Sequence, residues 1–164
     1  MGKKTNAARI LDRGKIAYDL VEYAVDESEL GAEHVAESIG QDLERVFETI
    51  VLKGDKTGVV VAVVPGNAGV NLKALAGLSG NKKILPLPLK EVQPITGYIR
   101  GGCSPVGMKK QYPTFIDQSA ENFEKIYISA GVRGMQFCVN PFEIIKLTNA
   151  KVGAIADKNE QNDD

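Results

Sequence analysis

Two β-branched runs, 46–52 and 59–64, flank Lys53-Gly54-Asp55-Lys56-Thr57-Gly58, and this pattern constrains the fold more than any other in the chain. Branched side chains suit a pleated strand, and Gly with Asp supplies the backbone conformations of a tight turn, so the segment reads as an antiparallel hairpin. Its second arm, Val59-Val60-Val61-Ala62-Val63-Val64, shows no polar alternation.

The remaining elements can be read around this hairpin. Residues 7–13 form a short amphipathic helix stopped by Gly14, and 16–25 alternate as a strand. Ser28 is placed to cap a helix that runs to Ile39 and stops at Gly40. Asn71 caps a helix with Leu72, Leu75, Ala76 and Leu78 at helical spacing, and Asn140-Pro141 opens a last one with Phe142, Ile145 and Leu147 facing inward. Further strands are expected at 83–87, 114–117, 125–129, 135–139 and 151–156, with Leu89 to Val92 at most one helical turn before Pro94. The expectation is an α+β single domain over 1–156, with a mixed, curved or barrel-like sheet of about seven strands flanked by about four helices. Residues 157–164, with four acids and one lysine, are expected to be a disordered polar tail.

Several chemistries are excluded by what the chain does not contain. Cys103, Cys138 and the single His34 make neither a disulfide framework nor a zinc pattern, so no metal is expected and a reducing cytoplasm fits. There is no phosphate-cradling P-loop, no G-x-G-x-x-G after a strand and no G-x-S-x-G elbow, so no cofactor is expected. The amino terminus has no apolar signal region and no apolar run reaches membrane-spanning length. Twenty Lys and Arg against 21 Asp and Glu rule out an indiscriminate polyanion binder, but the balance hides two blocks. Residues 82–110 carry six basic residues against Glu91 alone, and 26–48 carry eight acids against Arg45.

The basic block holds the most informative segment, Gly97-Tyr98-Ile99-Arg100-Gly101-Gly102-Cys103-Ser104-Pro105-Val106-Gly107. Paired glycines permit close backbone approach or positive φ. Such a loop can aim several N–H groups at a carbonyl oxyanion or a phosphate, or it can mark a tight crossing of two chain segments. Cys103 and Ser104 invite a nucleophile reading, which ranks below the backbone one because no base is identifiable nearby.

This segment, continued through Met108-Lys109-Lys110-Gln111-Tyr112-Pro113-Thr114-Phe115-Ile116-Asp117, resembles the signature of the YbaK/EbsC family of bacterial aminoacyl-tRNA editing proteins, relatives of the insertion domain of prolyl-tRNA synthetase. Ile126 to Gly134 resembles the family's second glycine segment, and Lys15-Ile16 with Tyr23, Gly31 to Gly40, and 59–75 extend the likeness over nearly the whole chain. The resemblance implies a cytoplasmic deacylase that clears mischarged tRNA, with Cys-tRNA(Pro) favoured and a synthetase as a further partner. In that branch the substrate's own thiol attacks its ester, so the protein positions the ester and stabilises the oxyanion. By resemblance Gly101, Gly102, Cys103, Ser104 and Pro105 hold the ester end, Ser129 and Gly131 meet the aminoacyl-adenosine, and Tyr23, Phe47 and Thr49 line the pocket. Arg100, Lys109 and Lys110 would meet the acceptor-stem phosphates.

One departure stands inside the motif. Where the family reads Val-Phe/Tyr-Lys-Thr, this chain reads Val46-Phe47-Glu48-Thr49, and the active-site lysine is replaced by a carboxylate. Gln136 stands where the deacylase branch carries an acid. Two further readings therefore accompany the first: a catalytically weak or inactive module that binds tRNA or a synthetase, and a deacylase for another small amino acid.

Overall fold

The hairpin is the spine of the molecule. In the computed structural model, which describes residues 4–158, strand β2 (Phe47–Gly54) pairs with β3 (Gly58–Pro65) along its whole length, and Gly58 closes the turn with φ of 79°. Six consecutive residues of β3 are buried, which accounts for a run without alternation. Val63 packs with Phe47, Ile116, Ile128 and Phe137 on one face, whereas Val60, Ala62 and Val64 pack with Leu52, Leu75 and Phe115 on the other.

Before the hairpin come α1 (Asn6–Arg13), β1 (Tyr18–Glu22) and α2 (Ala32–Ile39), followed by a short 3-10 turn at Leu43–Arg45. After it come β4 (Ala68–Val70), α3 (Leu72–Ser79), β5 (Ile84–Pro86), α4 (Leu89–Thr96), β6 (Thr114–Asp117), a second 3-10 turn at Gln118–Asn122, β7 (Ile126–Ser129), β8 (Met135–Val139), α5 (Pro141–Thr148), β9 (Lys151–Gly153) and β10 (Ala156–Lys158). The five-stranded sheet runs β5-β2-β3-β6-β9, with β6 parallel to both β3 and β9. A second sheet, β1-β8-β7, is antiparallel, and a parallel bridge between Val46 and Tyr127 joins it to β2. The result is the mixed, curved α+β domain expected, with ten strands and five helices among the described residues.

The surplus elements have physical causes. Strands β4 and β10 pair only with each other, three residues each, and such short runs carry no periodicity. Because β10 includes Asp157 and Lys158, residue 157 does not open a disordered tail; residues 159–164 lie outside the described residues. Helix α4 continues through Pro94 instead of stopping before it. Proline removes one intrahelical bond, but the carbonyls of Pro94, Ile95 and Thr96 accept from Lys109 Nζ, Tyr112 Oη and Lys109 N–H, at 3.1, 2.8 and 3.1 Å. The tertiary bonds hold the turn that the sequence alone would end.

The expected caps at Asn71 and Asn140 are formed: their side chains accept from Ala74 N–H and Phe142 N–H. The cap of α2 is not the expected one. Ser28 lies outside the helix and bonds to Asp26, and the Ncap residue is Gly31, which has no side chain to offer.

No helix among the described residues is long and apolar enough to cross a membrane. The carboxyl end of the chain is tied down by Asp117, which is buried and accepts three backbone N–H groups: Ile155 and Ala156 at Oδ1, and Ser119 at Oδ2. Asp117→Ala strands those donors and is expected to lower the unfolding free energy by about 3 kcal/mol, read as a lower urea midpoint at unchanged slope. Asp117→Asn, which keeps one acceptor oxygen, is expected to lose less.

Candidate functional site

Strand β2 leaves part of one edge open. Val46, just ahead of it, bridges to Tyr127, Leu52–Gly54 pair with β5 and Val51 O accepts the Leu87 N–H at 3.4 Å, but Phe47 to Ile50 have no ladder partner on that side among the described residues. A cavity of about 410 Å³ occupies the gap, and Phe47 to Val51 all line it. Leu30, Gly31, Ala32 and Val35, at the start of α2, form one wall. Leu87, Leu89 and Val92 also line it, and Arg100, Gly101 and Cys103 complete the lining, with Gly101 packed beside Leu30. Ser129 and Gln136, partners in the β7–β8 register, close the floor.

The cavity thus gathers Glu48, Phe47, Thr49, Arg100, Gly101, Cys103 and Ser129 from three separate stretches of sequence. Other residues of the motifs build the frame behind it. Ser104 has no exposed surface and its hydroxyl accepts the Val106 N–H, while Pro105 and Gly102 are buried beside it. Gly102 donates its N–H to Ile99 O at 2.9 Å, and a Cβ there would lie 3.2 Å from the Val132 backbone. Gly131, with φ of 101°, would carry a Cβ 3.1 Å from the Tyr98 ring. Tyr98 donates to the Val106 carbonyl, and Arg133 Nε donates to the Arg100 carbonyl at 2.7 Å. The two glycine segments are therefore pressed together, and the close-crossing reading accounts for Gly102 and Gly131. Gly101 and Cys103 remain on the cavity side, and neither donates a backbone hydrogen bond among the described residues.

Tyr23 lies in a narrow cleft next door, with Leu30, Val35, Gly101 and Arg133. Lys109 and Lys110 are exposed and do not line the cavity, so the basic block contributes Arg100 alone to its rim. The acidic block comes closer: Glu29, Glu33 and Glu37 share a neighbouring cleft with the far side of Glu48.

The titratable groups of the cavity are not poised as nucleophiles. Burial pushes the Cys103 thiol up to about 11, with Thr96 pulling back only slightly, so it is a neutral thiol at physiological pH. Behind the lining, burial likewise pushes Tyr98 up to about 12, helped by its proximity to Cys103. The Ser129 hydroxyl accepts the Gly131 N–H at 3.1 Å, and no histidine lines the cavity.

Glu48 has a structural role that its sequence position does not suggest. Its Oε1 accepts the N–H of Ala32, the first residue of α2, at 3.1 Å. It thereby supplies from β2 the cap that Gly31 lacks, and places negative charge where the helix dipole favours it. Burial raises its carboxyl above the usual glutamate range, the Ala32 N–H pulls it partly back, and Glu33 adds to the rise.

Leu30 and the apolar residues of the 86–92 segment are not among the expected site residues, and Gln136 is expected only as a departure from the family pattern. Gln136 carried a usable signal, because a polar residue centred in the apolar strand Met135-Gln136-Phe137-Cys138-Val139 needs a polar use for its side chain. Thr49 Oγ1 and Gln136 Oε1 are in fact buried without a hydrogen-bond partner.

Comparison with known proteins accords with this geometry. A family model described as an aminoacyl-tRNA editing domain matches residues 26–147. EbsC of Enterococcus faecalis, a proposed Cys-tRNA(Pro)/Cys-tRNA(Cys) deacylase, is 50% identical over 156 residues, covering 95% of each chain. YwhH of Bacillus subtilis, an uncharacterized protein, is 27% identical over 134 residues, covering 82% of this chain and 83% of its own. The solved structure of a proposed trans-editing enzyme for prolyl-tRNA synthetase superposes with a TM-score of 0.80 at 23% identity, covering 94% of this chain and 99% of that one. A hypothetical protein of known structure gives 0.83 at 21% identity, covering 91% and 97%. These two show the shared fold.

The raised carboxyl of Glu48 makes a signed prediction. A group that holds its proton more tightly when folded costs stability once it ionises. Its contribution is favourable below the usual glutamate range and is lost as pH rises toward the higher folded-state value. Glu48→Gln keeps the acceptor for Ala32 and removes that loss. The melting temperature of the variant minus that of the native chain is expected to rise with pH from about 4 and then level off. A difference that stays flat across that window would contradict the assignment.

Proposed function

This chain belongs to the aminoacyl-tRNA editing domain family, and from that premise we propose that it deacylates mischarged tRNA, with Cys-tRNA(Pro) the favoured substrate and the substrate's own thiol as nucleophile. The observation that carries the proposal is a cavity lined by Gly101 and Cys103 that holds no activated nucleophile. The reaction asks for none. The cysteinyl sulfur attacks its own ester carbonyl, the new C–S bond closes a thiolactone, and the C–O bond to the terminal ribose breaks. The thiol proton ends on the departing hydroxyl, so tRNA and a cyclic thioester are the products.

Within this scheme the protein lowers the barrier by holding sulfur and carbonyl in an attack geometry and by offering donors to the oxyanion. The unpaired N–H groups of Gly101 and Cys103 are the candidates for the second task. The interlocked glycine segments keep that lining fixed, which matters because a preorganised donor needs no reorganisation in the transition state. Arg100 at the rim, and Lys109 and Lys110 on the exposed surface beyond it, supply charge for the acceptor-stem phosphates without reading sequence.

Glu48 favours a second reading, a module that binds charged tRNA or a synthetase without cleaving, because a carboxylate disfavours an approaching phosphate. A panel of charged tRNAs separates the readings. Turnover of Cys-tRNA(Pro) at substoichiometric protein, with little loss of Ser-tRNA(Pro), is expected from thiol attack. Saturable binding without ester loss across the panel would establish the binding module, and preferred loss of Ala- or Ser-tRNA would redirect the substrate. For the deacylase, Arg100→Ala is expected to raise KM several-fold, leave kcat nearly unchanged and reduce the slope of log affinity against log salt by about 1.

A further inference from the structure

The polar groups of the cavity are unevenly distributed. Glu48 and Thr49 from β2 and Gln136 from β8 all line it. Glu48 uses Oε1 for the Ala32 N–H, and its Oε2 accepts nothing among the described residues. Thr49 Oγ1 and Gln136 Oε1 are buried without a partner, and Gln136 is only 4% exposed. An unpaired buried polar atom costs about 1–3 kcal/mol; Thr49 points to the Val63 face of the strand, away from Glu48, so Gln136 Oε1 is the costly atom that shares the cavity with the half-used carboxylate unless a donor-rich group engages it.

Glu48 gives the site its negative charge, whereas the Gln136 amide and the Thr49 hydroxyl can each donate as well as accept. The ion pairs among the described residues lie elsewhere, and Arg100, the one basic residue in the lining, makes none with Glu48. A phosphate or carboxylate would meet like charge here, and a hydroxyl would bring a single donor. An ammonium brings three donors and a full positive charge. The start of α2 opposes a cation with only about half a unit of charge, which the Glu48 carboxylate outweighs.

We propose that this side of the cavity seats the α-ammonium group of the aminoacyl ester, with Glu48 Oε2 as its charged partner and Gln136 Oε1 as a neutral acceptor. Glu48 is then a specificity-determining residue. The proposal rests on the deacylase reading of the cavity and adds the class it selects: an esterified amino acid with a free, charged amine. N-blocked and desamino acyl groups are discriminated against. Because the α-carbon links the amine to the ester carbonyl, seating the amine at Glu48 also restricts where the carbonyl can lie relative to Gly101 and Cys103.

The test is a cycle of two ligands and two proteins, read by binding so that it does not depend on turnover. The ligands are RNA acceptor mimics carrying cysteine, or its desamino counterpart mercaptopropionate, through a non-cleavable terminal amide. The native chain is expected to bind the cysteinyl mimic about 10- to 100-fold more tightly than the desamino one, the range of a charge-assisted hydrogen bond. In Glu48→Gln, which keeps the cap on α2, that ratio is expected to fall to about threefold or less; in Gln136→Leu it is expected to fall by a smaller factor. Equal ratios in all three proteins overturn the proposal, even if each of them cleaves Cys-tRNA(Pro). Conversely, a ratio that collapses in Glu48→Gln, with no ester cleaved by the native chain, upholds the ammonium seat and overturns the deacylase reading.

Discussion

The cavity exists because β2 is paired along all eight residues on one edge and only near its two ends on the other. A sheet edge left open inside a protein needs other groups to border it, since bare backbone polar atoms are costly. Here the start of α2, the 86–103 segment and the floor of β7 and β8 converge on that opening. The lining comes from segments on several sides of the hairpin, and so residues as distant as 30 and 136 meet in it.

The glycine segments make the opening rigid. Gly102 against the Val132 backbone, and Gly131 against Tyr98, leave no room for a Cβ without displacement. Tyr98 and Arg133 then cross-link the segments through main-chain carbonyls at 106 and 100. Gly102 and Gly131 thus build the crossing, whereas presenting main chain to a ligand is the role proposed for Gly101. Sequence alone leaves the two open, because both require the absence of a side chain.

What the sequence made legible follows from how local each cause is. The hairpin, the caps at Asn71 and Asn140 and the glycine stops are decided within a few residues, and all are found. The cap of α2 comes from Glu48, sixteen residues on, and so a nearby serine was the better local candidate. Helix α4 passes Pro94 because residues 109–112 satisfy its last carbonyls, and no window around the proline contains that information. The site divides in the same way. The family motif identified Glu48, Thr49, Gly101, Cys103 and Ser129, which line the cavity, but also Ser104, Pro105 and Gly102, which support it from behind. Gln136 was visible as a polar residue in an apolar strand, yet only the register that sets it opposite Ser129 gives it a place in the cavity.

Glu48 joins these two levels. Replacing a lysine by glutamate at an exposed position would change surface charge and little else. At this position the carboxylate lies between the amino end of a helix and a cavity, and each surrounding term acts on its proton. Burial favours the neutral acid, the Ala32 N–H and the helix dipole favour the carboxylate, and Glu33 opposes it. A lysine there would leave Ala32 N–H uncapped and set a cation against the helix end, so this helix with its Gly31 Ncap is suited to an acid at position 48. This acid is therefore integrated into the fold as well as into the cavity. The same carboxylate that completes α2 sets the sign of the charge that the cavity offers a ligand.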